Sequence, residues 1–186
     1  EAFEELSHPF YDEIIDSIIN LQDELTGMHS RRQFKVRYQT DLARRNGHRQ
    51  FAVVIFNLDN LDHIIEKLGH TAAMSGIRTM GDYINKHFGT VGGFSMRRRI
   101  DQFSTVLPFS DLDEARHILE DFTRDFRQNG LISIENAARE VNPAVRCFEF
   151  SISAGLARGN PNVELDSIMA FADFNREPIA QFQCNI

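Results

Sequence analysis

The sequence has no tryptophan, only two cysteines and no apolar run of the length that crosses a membrane. Two cysteines, Cys147 and Cys184, cannot by themselves build a disulfide framework or a zinc site, so we expect a reducing compartment, the cytoplasm. A membrane span needs about 18 consecutive apolar residues, so we expect no membrane contact. The chain starts at Glu1 without a methionine or a secretory leader pattern, and we expect it to be a piece of a longer protein.

Positive charge is also scarce, with 20 Lys and Arg against 27 Asp and Glu and a formal net charge of −7. Nonspecific nucleic-acid binding needs a cationic surface, so we expect no nucleic-acid partner. Small anionic ligands are not excluded, because a local cationic site can lie on an acidic protein. The length of 186 residues favours one domain, and the 16 phenylalanines predict a core rich in that residue.

Apolar spacing predicts strands and helices in alternation. The continuous run at 51–58 predicts a central strand, while the patterns at 96–108 and 147–157 predict a hairpin and another strand. The predicted helices cover residues 30–44, 59–69, 71–88, 109–126 and 164–182, the last ended or kinked by Pro178. Residues 128–146 show no clear period and predict a loop with short structured pieces. The order predicts an α/β or α+β fold, a mostly antiparallel sheet with helices on its faces.

The N-terminal stretch 7–25 predicts one more helix, with apolar residues three and four positions apart over about two heptads. These residues are Tyr11, Ile14, Ile18, Leu21 and Leu25. The helix either packs on its own domain or ends a coiled coil that arrives from an upstream domain. We assign 1–22 to this N-terminal segment and 23–186 to one domain, and we expect the segment to form a homodimer.

Ordered blocks of the sequence resemble the GGDEF domain, the diguanylate cyclase module of bacteria. Residues 23–34, DELTGMHSRRQF, are similar to the family's opening D-x-L-T-G-L-x-N-R-R-x-F, and 97–109, RRRIDQFSTVLPF, to R-Y-G-G-D-E-F-x-V-L-L-P. Residues 52–70 resemble the block that contains D-L-D and G-H, and 150–157 and 171–173 resemble the closing blocks. Members make cyclic di-GMP from two GTP molecules held by two facing domains. The resemblance implies a fold like the palm of adenylyl cyclases and polymerases.

The resemblance also implies binding positions, and most of them carry a different type of residue here. The first metal-binding Asp falls on Asn57, a neutral group where a hard cation prefers carboxylates. The two guanine-reading positions fall on Ile65 and Met74, which cannot hydrogen-bond to a base edge. The phosphate-side lysines fall on Asp62 and Ala180. We therefore assign no substrate-binding residue.

The signature itself is RIDQF, residues Arg99, Ile100, Asp101, Gln102 and Phe103. The family's two glycines let a nucleotide approach the backbone, and the side chains of Arg99 and Ile100 remove that space. The metal carboxylate is retained as Asp101. The family's Glu is Gln102, which has no pKa useful for acid–base chemistry. We therefore expect no catalytic residue.

Two of these positions and the neighbouring arginines keep alternative interpretations. Asp101 is either a remnant metal ligand or a turn acid that accepts backbone hydrogen bonds, and Asn57 is either a ligand or the cap of helix 59–68. Magnesium is expected only if nucleotide binding survives, and otherwise no cofactor is. The arginines at 97–99 either bind an anion or pair with nearby acids, for which we name Asp59, Asp62 and Asp101.

The resemblance and the departures together predict a degenerate, catalytically inactive GGDEF domain that acts as a regulatory, dimerisation or docking module. The alternative is a GTP-binding regulatory domain or a residual diguanylate cyclase. The family's product-inhibition motif falls on Thr90 and Gly93, so we expect no cyclic di-GMP binding by that route. The partners that the family implies are an upstream sensor and a downstream domain of the EAL type.

Overall fold

The structure, a computed structural model, describes residues 22–44, 50–144 and 150–182. The helices within these ranges are α1 (Arg31–Arg44), α2 (Leu61–Leu68), α3 (His70–Phe88), α4 (Leu112–Asp125), α5 (Leu131–Val141) and α6 (Leu165–Phe174). The strands are β1 (Ala52–Asp59), β2 (Phe94–Arg99), β3 (Gln102–Leu107), β4 (Phe150–Arg158) and β5 (Glu177–Phe182). A 3-10 turn, Gly89–Val91, precedes β2, and a π-helical segment, Phe126–Gly130, joins α4 to α5.

The five strands form one sheet in the order β2-β3-β1-β4-β5, and every neighbouring pair is antiparallel. The central strand is β1, where Val54 lies opposite Thr105 on one side and Leu156 on the other. The run at 51–58 is apolar because both faces of this strand are covered. The prediction of a central strand and of a sheet flanked by helices is confirmed.

Two apolar layers hold the helices on the sheet. Helices α2, α3, α4 and α5 cover one face, and α1 and α6 cover the other. The first layer contains tightly packed phenylalanine rings, with Phe122 centred 5.0 Å from Phe56 and 5.6 Å from Phe126. Such aromatic pairs add about 0.5–1.5 kcal/mol each beyond the area they bury. The expected phenylalanine-rich core is therefore present.

Residues 131–141 form helix α5, so the prediction of a loop with short structured pieces is wrong for 128–141. Residues 142–144 are not helical, and 145–146 lie outside the described residues. The helix buries only Leu131, Ile134 and Ala138, and it packs on α3. Its apolar stripe is short, and the Asn129–Gly130 pair before it is typical of a break. The π-helical turn carries the chain through that pair without ending the helix.

The chain after residue 174 forms β5, so the prediction of a helix over 164–182 is right only up to Phe174. Pro178 lies in β5 opposite Ser153, beside a register shift. Because β5 is an edge strand, the sheet tolerates a proline that cannot donate a hydrogen bond. Ala180, matched by resemblance to a lysine of a closing helix, is instead a buried strand residue.

The start of the described chain is a turn. Gly27 N donates to the Asp23 carbonyl, and residues 24–26 form a turn, so the predicted helix does not reach Leu25. The rest of that predicted helix, 7–21, lies outside the described residues, as do Cys147, Cys184 and the start of the strand predicted at 147–157. Ser30 and Gln33 cap the start of α1 reciprocally. Across the described ranges, no helix has the length and apolarity needed to cross a membrane.

Candidate functional site

The signature hairpin turns without glycine. Strands β2 and β3 are joined at Ile100–Asp101, and a register shift between Arg97 and Arg99 absorbs part of the bend. Among the described residues, Asn60 is the only non-glycine with a positive φ, so the turn requires no left-handed residue. Leu58 N donates to the Asp101 carbonyl at 2.8 Å, which joins the turn to the end of β1. The hairpin therefore folds with side chains where the resemblance implies glycines.

A cavity of about 890 Å³ lies beside this turn. Its lining residues are Asn60, Leu61, Asp62, His63, Ile65, His70, Met74, Arg99, Ile100 and Asp101. The structure thus brings together the two guanine-position residues, the phosphate-position Asp62 and three residues of the signature. Asn57, Gln102, Phe103 and Ala180 do not line this cavity.

The cavity has an apolar wall and a mixed rim. Ile65 and Met74 are partly buried and pack against the core, while Ile100 is 61% exposed. Within the described ranges, the Asp101 carboxylate makes no hydrogen bond or ion pair, so it is not the backbone-bonding turn acid of the sequence analysis. A base placed against this wall would meet methyl and thioether groups where hydrogen-bond donors and acceptors are needed.

Gln102 points away from this cavity into a second set of polar groups. Its side chain is only 1% exposed, and both ends of its amide are bonded. Arg98 Nη1 donates to Gln102 Oε1 at 3.0 Å, and Gln102 Nε2 donates to Asp173 Oδ1 at 3.0 Å. The signature hairpin is thereby tied to the last turn of α6.

Arg176 extends this set of contacts from α6 to the sheet. Its Nε donates to Asp173 Oδ1 at 2.6 Å, and its Nη1 donates to Ser153 Oγ at 2.8 Å. The same Nη1 lies 3.6 Å from Asp59 Oδ1. One arginine therefore connects the end of α6 with β4 and β1.

Asp59, at the end of β1, is the last member of this set of polar contacts. It accepts hydrogen bonds from Asn57 Nδ2 at 2.9 Å, Ser153 Oγ at 2.9 Å and Ser151 Oγ at 3.1 Å. We call the whole set the polar network: Arg98, Gln102, Asp173, Arg176, Asp59, Asn57, Ser151 and Ser153. Its two arginines and two aspartates carry balanced charges, and its remaining members are neutral.

One interpretation from the sequence is wrong, and a second is right about the kind of contact but not about the partners. Asn57 does not cap a helix, because it lies in β1 and α2 begins only at Leu61, with Asn60 at the N-cap. Arg97 and Arg98 do pair with acids, as one of the two interpretations of this cluster expects, but their partners are not the three acids named for them. Arg97 binds Asp23 at 2.6 Å, and Arg98 lies 3.8 Å from Asp173.

Sequence reasoning missed the network's central acid and its second arginine. Asp173 belongs to the FAD block at 171–173, which pointed to the family but not to a contact. Arg176 follows the end of α6, and no motif or spacing in the sequence pointed to a role for it. Phe103, the last signature residue, is buried opposite Phe56 and serves the core. In the part of the chain that the structure describes, no cluster of three or more His, Cys, Asp or Glu is arranged to hold a metal ion.

Comparison with known proteins identifies one family. The sequence model described as diguanylate cyclase, GGDEF domain, matches residues 20–177. No curated protein matches the chain.

Solved structures share the fold at low sequence identity. The GGDEF domain of DgcB from Caulobacter crescentus, in complex with c-di-GMP, is 17% identical with a TM-score of 0.65, covering 82% of this chain and 83% of that one. The GGDEF domain of PA1120 (TpbB or YfiN) from Pseudomonas aeruginosa is 20% identical with a TM-score of 0.64, covering 83% and 86%. The FimX GGDEF domain from the same organism is 13% identical with a TM-score of 0.64, covering 83% and 90%.

Proposed function

The chain belongs to the GGDEF domain family, and we propose that it is a catalytically inactive member. In this proposal it serves as a regulatory, dimerisation or docking module of a protein related to cyclic di-GMP signalling. The observation that carries the proposal is the charge balance of the polar network, which has neutral amides at two positions where the family resemblance implies carboxylates.

Each of those amides makes a hydrogen bond that a carboxylate cannot make. Asn57 donates to Asp59, and Gln102 donates to Asp173. A carboxylate at each position would add two negative charges beside existing aspartates, a cost that a bound divalent cation can offset. Here the charges of Arg98, Arg176 and the two aspartates cancel without one.

The residues at the metal positions do not fit a magnesium site. The Asn57 amide nitrogen is committed to Asp59, which leaves Asp101 as the single carboxylate of the implied pair. Magnesium binds preferentially to carboxylates and phosphates with little tolerance of geometry. We therefore derive no reaction step through a metal, and the proposal includes no cofactor.

The apolar wall of the 890 Å³ cavity supports the same proposal. Ile65 and Met74 offer guanine no hydrogen-bond partner, and burying the base edge against them would leave its polar groups unpaired. Arg99 and Ile100 add side chains where the family's glycines leave room for the nucleotide.

Calorimetric titration of the chain with GTP, GMP and cyclic di-GMP, each with Mg²⁺, tests the proposal. We expect no binding tighter than about 100 μM, a free energy weaker than about −5.5 kcal/mol. Micromolar binding of GTP would overturn it in favour of a nucleotide-binding regulatory domain. Formation of cyclic di-GMP from GTP would overturn the loss of catalysis itself.

Similar proteins indicate the kind of assembly that a module of this family can join. The structure of diguanylate cyclase SiaD from Pseudomonas aeruginosa contains its activator SiaC, and LapD from Vibrio cholerae combines an S helix, a GGDEF domain and an EAL domain. We propose for this chain an upstream sensor, a downstream EAL-type domain and a cytoplasmic location.

We also propose that residues 1–22 mediate homodimerisation. Sedimentation of the chain with and without these residues tests this part of the proposal. Weaker self-association after truncation is expected, and a monomer in both cases would rule the segment out as a dimer element.

A further inference from the structure

Helix α1 concentrates positive charge on a protein that is acidic overall. It carries Arg31, Arg32, Lys35, Arg37 and Arg44 against a single acid, Asp41, while the whole chain has a net charge of −7. Such a local excess of one sign attracts a segment of the opposite sign.

The outer face of this helix lines a groove of about 590 Å³, which we call the α1 groove. Its lining residues are Gln22, His29, Arg32, Gln33, Val36, Arg37, Thr40, Asp41, Arg44 and Phe109. Arg32, Val36, Thr40 and Arg44 follow one another at four-residue spacing along one wall. The groove therefore has an arginine towards each end and an apolar centre.

The apolar centre is exposed and its walls are held in place. Val36 and Phe109 are each 54% exposed. Phe109 lies against Gly92, where an added Cβ would come within 2.9 Å of the ring. Opposite it, the Arg37 guanidinium lies 5.2 Å from the centre of the Phe94 ring, with its Nε 3.6 Å from Asp41 Oδ2.

The sequence immediately before the groove has the complementary chemistry. Residues 1–21 lie outside the described part of the chain, and they contain no Lys or Arg. Their acidic residues are Glu1, Glu4, Glu5, Asp12, Glu13 and Asp16. Gln22, the next residue along the chain, lines the groove. Fifteen residues in helical form span about 22 Å, close to the roughly 21 Å of α1.

We propose that residues 7–21 dock into the α1 groove of the same chain. Their acids face the groove arginines, and their apolar residues cover Val36 and Phe109. The direct connection through Gln22 keeps the segment at a high effective concentration near the groove. Docking competes with the dimerisation proposed for 1–22, because one segment cannot occupy the groove and pair with a second copy at the same time. The inference does not depend on whether the domain has lost catalysis.

Hydrogen–deuterium exchange of the full chain tests the docking. We expect the amides of residues 8–21 to exchange more slowly than free peptide, independently of protein concentration. Arg44→Glu should speed that exchange by up to about fivefold, the range of an exposed ion pair. Val36→Glu should speed it as well, because it places a negative charge against the apolar and acidic residues of the segment. Arg31→Glu is the matched control, because it reverses a charge on the same helix but does not line the groove. It should leave the exchange unchanged.

A charge swap separates docking from a general loss of fold. Arg44→Glu combined with Asp12→Lys and Glu13→Lys should restore slow exchange at 8–21. Wild-type exchange at the rate of free peptide would overturn the inference. The exchange is also measured at dilutions where sedimentation shows a monomer, and protection that disappears there would overturn the inference as well, since the occupant would then be a second copy.

Discussion

The Gln102 side-chain nitrogen donates a 3.0 Å hydrogen bond to Asp173 Oδ1, joining the signature hairpin to the end of α6. The same amide accepts from Arg98 at 3.0 Å, so both of its polar ends are used in a buried position. A glutamate has no N–H group and cannot make both contacts. The family resemblance associates this signature position with catalysis. Here it holds a glutamine whose amide bonds to the residues on both sides of it.

We predict that Gln102→Glu lowers the free energy of unfolding by about 1–3 kcal/mol, because it replaces a buried hydrogen bond with two facing carboxylates. Urea unfolding at pH 7 measures the change. Combining it with Asp173→Asn exchanges amide and carboxylate and restores the charge balance, so most of the loss should be recovered. A single variant as stable as wild type contradicts this account of the network.

Gly155 lets the end of α6 lie directly against strand β4. A Cβ at this position would overlap the Ala172 carbonyl oxygen, so we predict that Gly155→Ala destabilises the protein by about 3 kcal/mol. Gly89→Ala is the control, since Gly89 has φ −65° and no neighbouring atom near an added Cβ. Thermal unfolding should show a large loss for the first and almost none for the second. Equal effects would mean that helix α6 can shift away from β4.

Tyr38 carries a hydroxyl that finds no hydrogen-bond partner among the described residues, and burial raises the pKa of this phenol above its usual value. Its ring packs edge-on against Phe51, with centroids 5.6 Å apart. Tyr38→Phe keeps the ring and removes the unpaired group, so we predict a gain of about 1 kcal/mol in chemical unfolding. A loss of stability would show that the hydroxyl has a partner.

His29 makes the stability of the fold depend on pH. Burial, followed by the nearby charge of Arg37, lowers the His29 pKa below its usual 6.5, against a smaller opposing effect of Gln33. The imidazole binds a proton more readily in the unfolded chain than in the folded one. The contribution of His29 to stability is therefore fully present above pH 6.5, and it is lost as the pH falls through the pKa of the folded state. Unfolding measured from pH 7.5 to 5 should lose less stability in His29→Asn than in wild type. His117→Asn, at an exposed histidine, is the control and should follow wild type.

Asp125 makes the stability of the fold depend on pH in a second, more acidic range. The Lys86 amine at 2.7 Å, with Asn129 and His87, holds the pKa of this carboxyl well below its usual 3.8. Its contribution is therefore present above pH 3.8 and disappears as the pH falls through the folded pKa. Asp125→Asn should flatten the acid limb of the stability curve below pH 4. An unchanged acid limb would mean that the Lys86 pairing is screened by solvent.

The local pattern of apolar residues was sufficient to predict a helix or strand where one or both of its faces are continuously apolar. The run at 51–58 predicted β1, and the apolar spacing at 71–88 predicted α3. The pattern failed at α5, whose buried stripe has three residues, and at β5, whose strand state comes from pairing with β4. Edge strands of this kind depend on their neighbour because their own residues bury little surface.

The sequence by itself determined the family, the central strand and the residue types at the implied binding positions, because motifs and apolar periods are local properties. Only the tertiary structure decided what those residues do. Gln102 became a hydrogen-bond donor to Asp173 because the packing of α6 places that carboxylate within 3.0 Å. Asn57 donates to Asp59 two positions along the same strand, and the pairing of β1 with β4 adds the two serines that donate to the same carboxylate. Contacts across 71 positions of chain depend on how layers stack, and no spacing along the sequence encodes that distance.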